Sequence, residues 1–253
     1  MSYYDRNRAY GAPAARQPSA AIDQGLRAYM LGVYNYMTLG LGVTGVTAWG
    51  AYMLAVTRSA TGRVALTPFG ELIFTSPLRW VVIFAPLAFV FFLGARFEQI
   101  SAFTARTLFL AYAALVGLSL SILFLVYTHG SIAQVFFITA AAFGGLSLYG
   151  YTTQRELSAF GSFLIMGVWG LVIAGIVNIF LQNSGLQLAI SIIAVLVFSG
   201  LTAWDTQAIK DSYFEGDGWE LAQKKSVYGA LRLYLDFINM FISLLRIFGD
   251  RNN

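Results

Sequence analysis

The fold is decided by residues 107–154, TLFLAYAALVGLSLSILFLVYTHGSIAQVFFITAAAFGGLSLYGYTTQ, which contain no Asp, Glu, Lys or Arg in 48 positions. Residues 157–204 repeat this absence of charge over another 48 positions, and only Arg155 and Glu156 lie between the two stretches. A helix needs about 20 residues to cross about 30 Å of hydrocarbon. Each stretch is therefore long enough for two membrane-spanning helices and a short turn.

The composition of the whole chain agrees with a polytopic membrane protein. Of 253 residues, 58% are hydrophobic and 11% are charged, whereas soluble domains carry about 25% charged residues. The net charge of +4 is too small to indicate nucleic-acid binding, so the expected surroundings are the lipid bilayer. The absence of cysteine excludes disulfides and thiolate chemistry.

Hydropathy and helix-end signals predict an all-α fold in which six transmembrane helices surround a short seventh helix. Residues 1–24 are predicted to form a flexible tail, residues 25–249 a single bundle and residues 250–253 a short end, with Asp23 as the N-cap of the first helix. Pro86 is expected to kink the second helix. The predicted apolar segments are residues 29–56, 77–96, 104–127, 131–152, 160–181, 186–209 and 227–248.

The last segment differs from the others because it carries charge, so it is predicted either to span the membrane or to re-enter it. At 100° per residue its polar side chains fall on one stripe, which we expect to line a polar interior. An amphipathic helix lying in the membrane interface is the alternative. The stripe consists of Tyr228, Arg232, Asp236, Asn239, Ser243 and Arg246.

The distribution of Lys and Arg between the segments predicts a cytoplasmic amino terminus. Ten basic residues fall in the tail and in alternate loops, whereas only Arg58, Arg63 and Arg79 fall on the opposite side. Arg246 and Arg251 fit the cytoplasmic side better, which mildly favours re-entry of the last segment.

Familiar enzyme and cofactor motifs are poorly supported. Residues 40–45 match GxGxxG but lie inside an apolar helix, where glycines allow close helix packing. The loop that begins with residues 211–217 resembles a calcium hand, but Tyr213 and Ala222 occupy ligand positions that need oxygen, and His129 is predicted in a solvated outer turn. The sequence therefore predicts neither an enzyme nor a bound cofactor.

The informative residues are two acids inside apolar segments, because a charge at that depth is costly and usually marks a pathway or relay. Asp236 lies in the middle of the last segment, and Asp205 lies near the end of the sixth. For Asp205, an ordinary helix-end charge at the membrane boundary is an equally good interpretation.

The chain resembles the transmembrane Bax inhibitor motif family over residues 24–249. The resemblance is carried by residues 204–207 (WDTQ), residues 234–239 (YLDFIN) and residues 147–151 (SLYGY). It implies a calcium-leak protein in which Asp205 and Asp236 form a pH-responsive pair at the pore. The resemblance adds the expectation that the membrane is the inner membrane of a bacterium. It also implies a basic residue from the second helix that engages the pair, for which Arg96 is the nearest counterpart and Arg106 the alternative.

Physical chemistry supports such a pair as a proton switch. Two carboxylates close together in a poorly solvated interior disfavour the doubly charged state, so they are expected to share a proton. Calcium takes carboxylate oxygens, so Asp205 and Asp236 are also the expected calcium ligands, and protons should compete with calcium. Arg96, or Arg232 from the last helix itself, would neutralise the site without calcium.

Three functional hypotheses follow. The leading one is a pH-sensitive, calcium-permeable leak channel in which calcium is the permeant ion. The alternative is a membrane adaptor that binds and regulates another membrane protein, such as a protease, with the tail as a candidate contact. The third is a proton-coupled transporter, although the sequence shows no obvious inverted repeat.

Overall fold

A computed structural model describes residues 19–58, 64–96 and 99–252. It contains nine helices and one two-stranded hairpin within these ranges. The helices are α1 (Ser19–Ala55), α2 (Pro68–Phe74), α3 (Leu78–Arg96), α4 (Ala102–Leu120), α5 (Leu123–Val126), α6 (His129–Thr152), α7 (Ser158–Leu181), α8 (Ser184–Asp211) and α9 (Trp219–Phe248). The strands are β1 (Val56–Arg58) and β2 (Val64–Leu66).

Within the described residues, four stretches of helix are long and apolar enough to cross a membrane: α4 with α5, α6, α7 and α8. The helix pair α2 and α3, bent by 60° between them, would make a fifth span. The sequence correctly predicted an integral membrane protein built from helices. α3 continues through Pro86 as one helix. The bend lies between α2 and α3, at residues 75–77.

Local signals explain where the helices begin. The side chains of Ser101, Thr128 and Asn183 accept hydrogen bonds from backbone N–H groups at the starts of α4, α6 and α8. The prediction of Asp23 as an N-cap is wrong, because α1 begins earlier, at Ser19. The tail predicted for residues 1–24 otherwise lies outside the described residues.

The short hairpin is an addition to the all-α prediction. Val56 pairs with Leu66 and Arg58 with Val64 in antiparallel register. Two strands of three residues are too short for the alternation of apolar and polar residues to be recognised in a sequence.

The last helix lies in the core. α9 packs against α1, α4, α6 and α8, and half of its 30 residues are buried. Tyr234, near its middle, makes edge-to-face contacts with Phe109 and Tyr112 of α4, and its hydroxyl lies 2.6 Å from the Thr44 hydroxyl of α1. α7 is at the other extreme, because it turns large apolar side chains outward in the manner of a lipid-facing helix.

Glycine allows α1 to approach this core at one position. A Cβ atom on Gly40 would lie 2.5 Å from the ring of Phe109. The packing interpretation of residues 40–45 is therefore correct for Gly40, whereas Cβ atoms on Gly42 and Gly45 would meet nothing within 4 Å.

The two ends of α9 lie at opposite ends of the bundle. Near its start, Gln223 accepts a hydrogen bond from the Tyr36 hydroxyl of α1 at 2.9 Å. Beyond its end, the Thr128 N–H donates to the Asp250 carbonyl at 2.9 Å, and Arg251 forms a β-bridge with Tyr127. α9 is thus a continuous helix across the whole bundle, so the mild preference for re-entry is wrong.

Candidate functional site

The two acids singled out by the sequence come together inside the bundle. Asp205 on α8 and Asp236 on α9 lie close enough for their charges to act on each other, and the residues are only 5% and 4% exposed. Asp205 is therefore not a solvated charge at a helix end.

Arg232 completes this cluster from the same helix as Asp236. Its Nε donates to Asp205 Oδ2 at 3.1 Å, and a terminal guanidinium nitrogen donates to Asp205 Oδ1. This is the two-pronged geometry in which arginine binds carboxylates most strongly. We refer to Asp205, Arg232 and Asp236 as the charge cluster.

Asp236 is the member of the charge cluster that has a hydrogen-bond acceptor oxygen still available. Its Oδ2 atom is buried and has no hydrogen-bond partner among the described side chains. Such an atom is costly to leave unpaired, so its presence indicates a place where a proton or a cation can bind.

Trp204 positions Arg232, and Gly161 makes room for Trp204. Its guanidinium lies over the Trp204 ring, 5.1 Å from the centroid, in a cation–π contact. The Trp204 ring lies directly against α7 at Gly161, where a Cβ atom would be 2.2 Å from the nearest ring atom. A glycine at position 161 thus allows the tryptophan to pack there and support the arginine.

The sequence WDTQ has a distinct structural use for each residue. The Trp204 ring packs against the Arg232 guanidinium, and Asp205 accepts hydrogen bonds from it. The Thr206 hydroxyl lies 2.9 Å from the Ser147 hydroxyl of α6. Gln207 joins the loop before α7 through two hydrogen bonds of 2.9 Å, from the Leu157 N–H and to the Arg155 carbonyl. These four residues therefore connect α8 to α6, α7 and α9.

Sequence reasoning missed a chain of hydroxyl groups beside the charge cluster. The Tyr34 hydroxyl of α1 lies 2.6 Å from that of Ser147, which in turn reaches Thr206. Ser147 and Thr206 belong to two of the three segments that carry the family resemblance, but nothing in their spacing indicates that they meet. Tyr34 gives no separate signal in the sequence.

The predicted polar stripe of α9 does not face one continuous polar space. The Asn239 amide donates to the Leu235 carbonyl at 2.8 Å, and the Ser243 hydroxyl donates to the Asn239 carbonyl at 2.7 Å. Both side chains therefore bond to their own helix. Tyr228 is exposed at one end of α9 and Arg246 at the other.

The remaining predicted residues lie elsewhere or outside the description. Arg106 lies over the ring of Tyr36, 5.6 Å from the centroid, and not on the aspartates. Arg96 is the last residue of α3, but its side chain lies outside the described residues. His129 is not a turn residue, because it begins α6 and its ring packs edge-on against Trp49, Tyr52 and Phe124.

Comparison with known proteins agrees with these features. The family model described as inhibitor of apoptosis-promoting Bax1 matches residues 26–253. The chain belongs to this Bax inhibitor family. Its match includes the whole charge cluster and all of α9.

Several bacterial relatives are similar over nearly the whole chain. The chain is 45% identical to the inner membrane protein YbhL of Escherichia coli K12, over 90% of this chain and 93% of the relative. It is 46% identical to a protein of Rickettsia prowazekii, over 92% and 93%, and 44% identical to one of Caulobacter vibrioides, over 98% of both chains. None of these three names is that of an enzyme.

Proposed function

We propose that this integral membrane protein is a pH-sensitive, calcium-permeable leak channel of the bacterial inner membrane, controlled by the charge cluster. Its amino terminus is cytoplasmic, and six membrane-crossing segments surround α9. The observation that carries the proposal is the pair Asp205 and Asp236, buried together with Arg232 and with one carboxyl oxygen left unpartnered.

In the proposed closed form, a proton is bound to Asp236. Arg232 offsets the charge of Asp205, and the bound proton neutralises Asp236, so the charge cluster then has no net charge. Among the described side chains, the groups whose charges act on Asp236 are Asp205 and Arg232. Loss of this proton leaves one net negative charge in a poorly solvated interior.

That negative charge attracts a cation. The two carboxyls supply oxygen ligands of the kind calcium prefers, and calcium needs about six to eight oxygens, so water or backbone carbonyls complete its shell. In this proposal the ion passes through the site and is not held there. Protons and calcium compete for the same oxygens.

Calcium entry into liposomes tests the proposal. The full-length protein is reconstituted, and uptake is followed with a trapped calcium dye over a series of pH values. We expect uptake to increase as the pH is raised, because deprotonation creates the cation site. Asp236→Asn replaces the carboxyl that gains and loses the proton, so it should abolish this pH dependence. Asp205→Asn should change both the rate of calcium uptake and its pH dependence.

Asp217→Asn is the matched control. Asp217 is also ion-paired, with Lys225 at 2.5 Å, but in the loop between α8 and α9. It should leave uptake and its pH dependence unchanged. If Asp205→Asn and Asp236→Asn both behave like this control, the charge cluster does not control calcium. If the folded wild-type protein gives no uptake at any pH, the adaptor hypothesis replaces the channel.

A further inference from the structure

The end of the bundle where α9 finishes contains a second cluster of charge, far from the first. Arg246 in the last turn of α9 and Arg251 beyond it line a pocket of about 300 Å³ with Tyr127, Ser184 and Gln187. This volume lies at the small end of the range for ligand-binding pockets. Fourteen residues of helix place Arg246 about 21 Å from Arg232.

The polar groups around this pocket are suited to an anion. The side-chain oxygen Oε1 of Gln187 accepts a hydrogen bond from the side-chain amide of Asn178 at 3.1 Å, which leaves the side-chain NH₂ group of Gln187 to donate. Ser184 begins α8, so backbone N–H groups at the positive end of that helix lie at the pocket. No carboxylate is among the lining residues in the described part of the chain.

The side chains of Arg246 and Arg251 form no ion pair with another residue in the described part of the chain. Of the ion pairs among the described residues, one joins Lys225 to Asp217 and the other joins Arg232 to Asp205. The dipole of α9 favours a cation at Arg246 in its last turn but does not extend to Arg251. In the proposed orientation both arginines lie on the outer side, where basic residues are disfavoured.

Arg251 is nevertheless held firmly in place. Its backbone forms the bridge with Tyr127, and the neighbouring Asn252 donates its N–H to the Val126 carbonyl at 3.0 Å. The Asn252 amide adds bonds of 3.1 Å to the carbonyls of Leu125 and Tyr127. A side chain on such a fixed backbone loses less entropy when it binds a ligand.

We propose that this pocket binds the phosphate group of an anionic phospholipid from the outer leaflet of the membrane. Two guanidinium groups can hold a phosphate through paired hydrogen bonds, and the helix start and the Gln187 amide add further donors. The pocket lies at the end of the apolar segments, which is the level of lipid headgroups. The bound lipid compensates the positive charge that the protein leaves unpaired.

Ligand-dependent thermal stability measures this binding. The full-length chain in a neutral detergent is titrated with phosphatidylglycerol, with phosphatidylcholine or with inorganic phosphate. We expect the unfolding temperature to increase with phosphatidylglycerol and to respond weakly to the other two, because phosphatidylcholine has no net charge and free phosphate lacks the acyl anchor. Added salt should weaken the response.

Variants connect the response to the pocket. Arg246→Gln and Arg251→Gln should each weaken phosphatidylglycerol binding about tenfold, because each removes a hydrogen-bonding charge. When Arg246 and Arg251 are both replaced by lysine, binding should be stronger than in the glutamine variants but weaker than in the wild type. Lysine keeps the charge but cannot form the paired hydrogen bonds of a guanidinium. Arg79→Gln is the matched control, because Arg79 is another arginine of the predicted outer side, stacked on Trp80 at 5.0 Å.

The outcomes separate the possible ligands. A phosphatidylglycerol response that both Arg→Gln variants retain would refute the site, as would equal loss in Arg79→Gln. An inorganic phosphate response equal to that of phosphatidylglycerol would refute the lipid. If Arg246→Gln fails to fold, Arg251→Gln alone decides, because its side chain is exposed and lies beyond α9.

Discussion

Replacement of Arg232 by glutamine tests the central ion pair and has a magnitude that follows from the structure. The Asp205 side chain is 8% exposed, so water cannot replace the two hydrogen bonds from Arg232. Leaving one partner of a buried pair uncompensated costs about 3–5 kcal/mol. In the variant, Asp205 can take up a proton and so avoid being a buried, uncompensated charge. For an ordinary aspartate this costs about 4 kcal/mol at pH 7, which sets an upper limit on the loss of stability.

We therefore expect Arg232→Gln to reduce the free energy of unfolding by about 3–4 kcal/mol at pH 7. The protonation route costs about 1.4 kcal/mol less for each pH unit below 7, so the loss should fall to about 1.5 kcal/mol at pH 5. For a chain of this size 1 kcal/mol corresponds to about 2–4 °C, which gives a decrease of about 6–16 °C at pH 7 and about 3–6 °C at pH 5.

The assay is thermal unfolding of the purified protein in detergent at both pH values, with Lys225→Gln as the matched control. Lys225 is another cation of α9 paired with an aspartate, but it makes one hydrogen bond to Asp217 instead of two, and Asp217 lies in the loop between α8 and α9 and not inside the bundle, so the loss should stay near 1 kcal/mol or below. The reasoning is refuted if Arg232→Gln loses no more than this control. It is also refuted if its loss is the same at pH 5 and pH 7.

The opposite replacement should be milder. Asp205→Asn leaves Arg232 without its carboxylate, but the guanidinium keeps the Trp204 ring and its side chain is 28% exposed to solvent. In a double-mutant cycle the two changes should be non-additive by at least about 1 kcal/mol, because they remove the same interaction. Additive losses would show that the two side chains do not stabilise each other.

Three further variants test the surroundings of the charge cluster, each by thermal unfolding. Gly161→Ala forces the ring of Trp204 to move and should cost about 1–3 kcal/mol, whereas Gly170→Ala on the same helix meets nothing within 4 Å and should be nearly neutral; equal effects would contradict the packing. Tyr234→Phe removes the buried 2.6 Å hydroxyl contact and should cost about 1 kcal/mol, unless that contact contributes nothing. Asn252→Ala removes the side-chain bonds that fix the end of the chain and should cost about 1–2 kcal/mol; an unchanged melting temperature would show that this end is not held.

The apolar segments could be predicted from the sequence because length and absence of charge report membrane insertion directly. Their boundaries agree with the helices to within a few residues for α6, α7 and α8. The prediction was less good where a helix continues into polar sequence. α9 begins at Trp219, eight residues before its apolar part, because residues 219–226 favour helix formation without being apolar.

The candidate site divides in the same way. The cost of burying charge is a property of each residue with its neighbours, so Asp236 could be chosen from the sequence, whereas Asp205 was singled out only by the family resemblance. The pairing of Arg232 with Asp205 depends on how α9 packs against α8, and no spacing within one helix contains that information. Arg232 was therefore one of several candidate partners until the fold brought it to Asp205.

The two arginines near opposite ends of α9 show how depth decides what compensates a charge. Arg232 lies inside the bundle, where lipid headgroups cannot reach, so a carboxylate from a neighbouring helix must neutralise it. Arg246 lies about 21 Å further along the helix, at the level where phosphate groups and water are available. A protein carboxylate there would compete with the lipid for the guanidinium, so an unpaired arginine is the arrangement that allows a bound phospholipid to hold the end of the central helix.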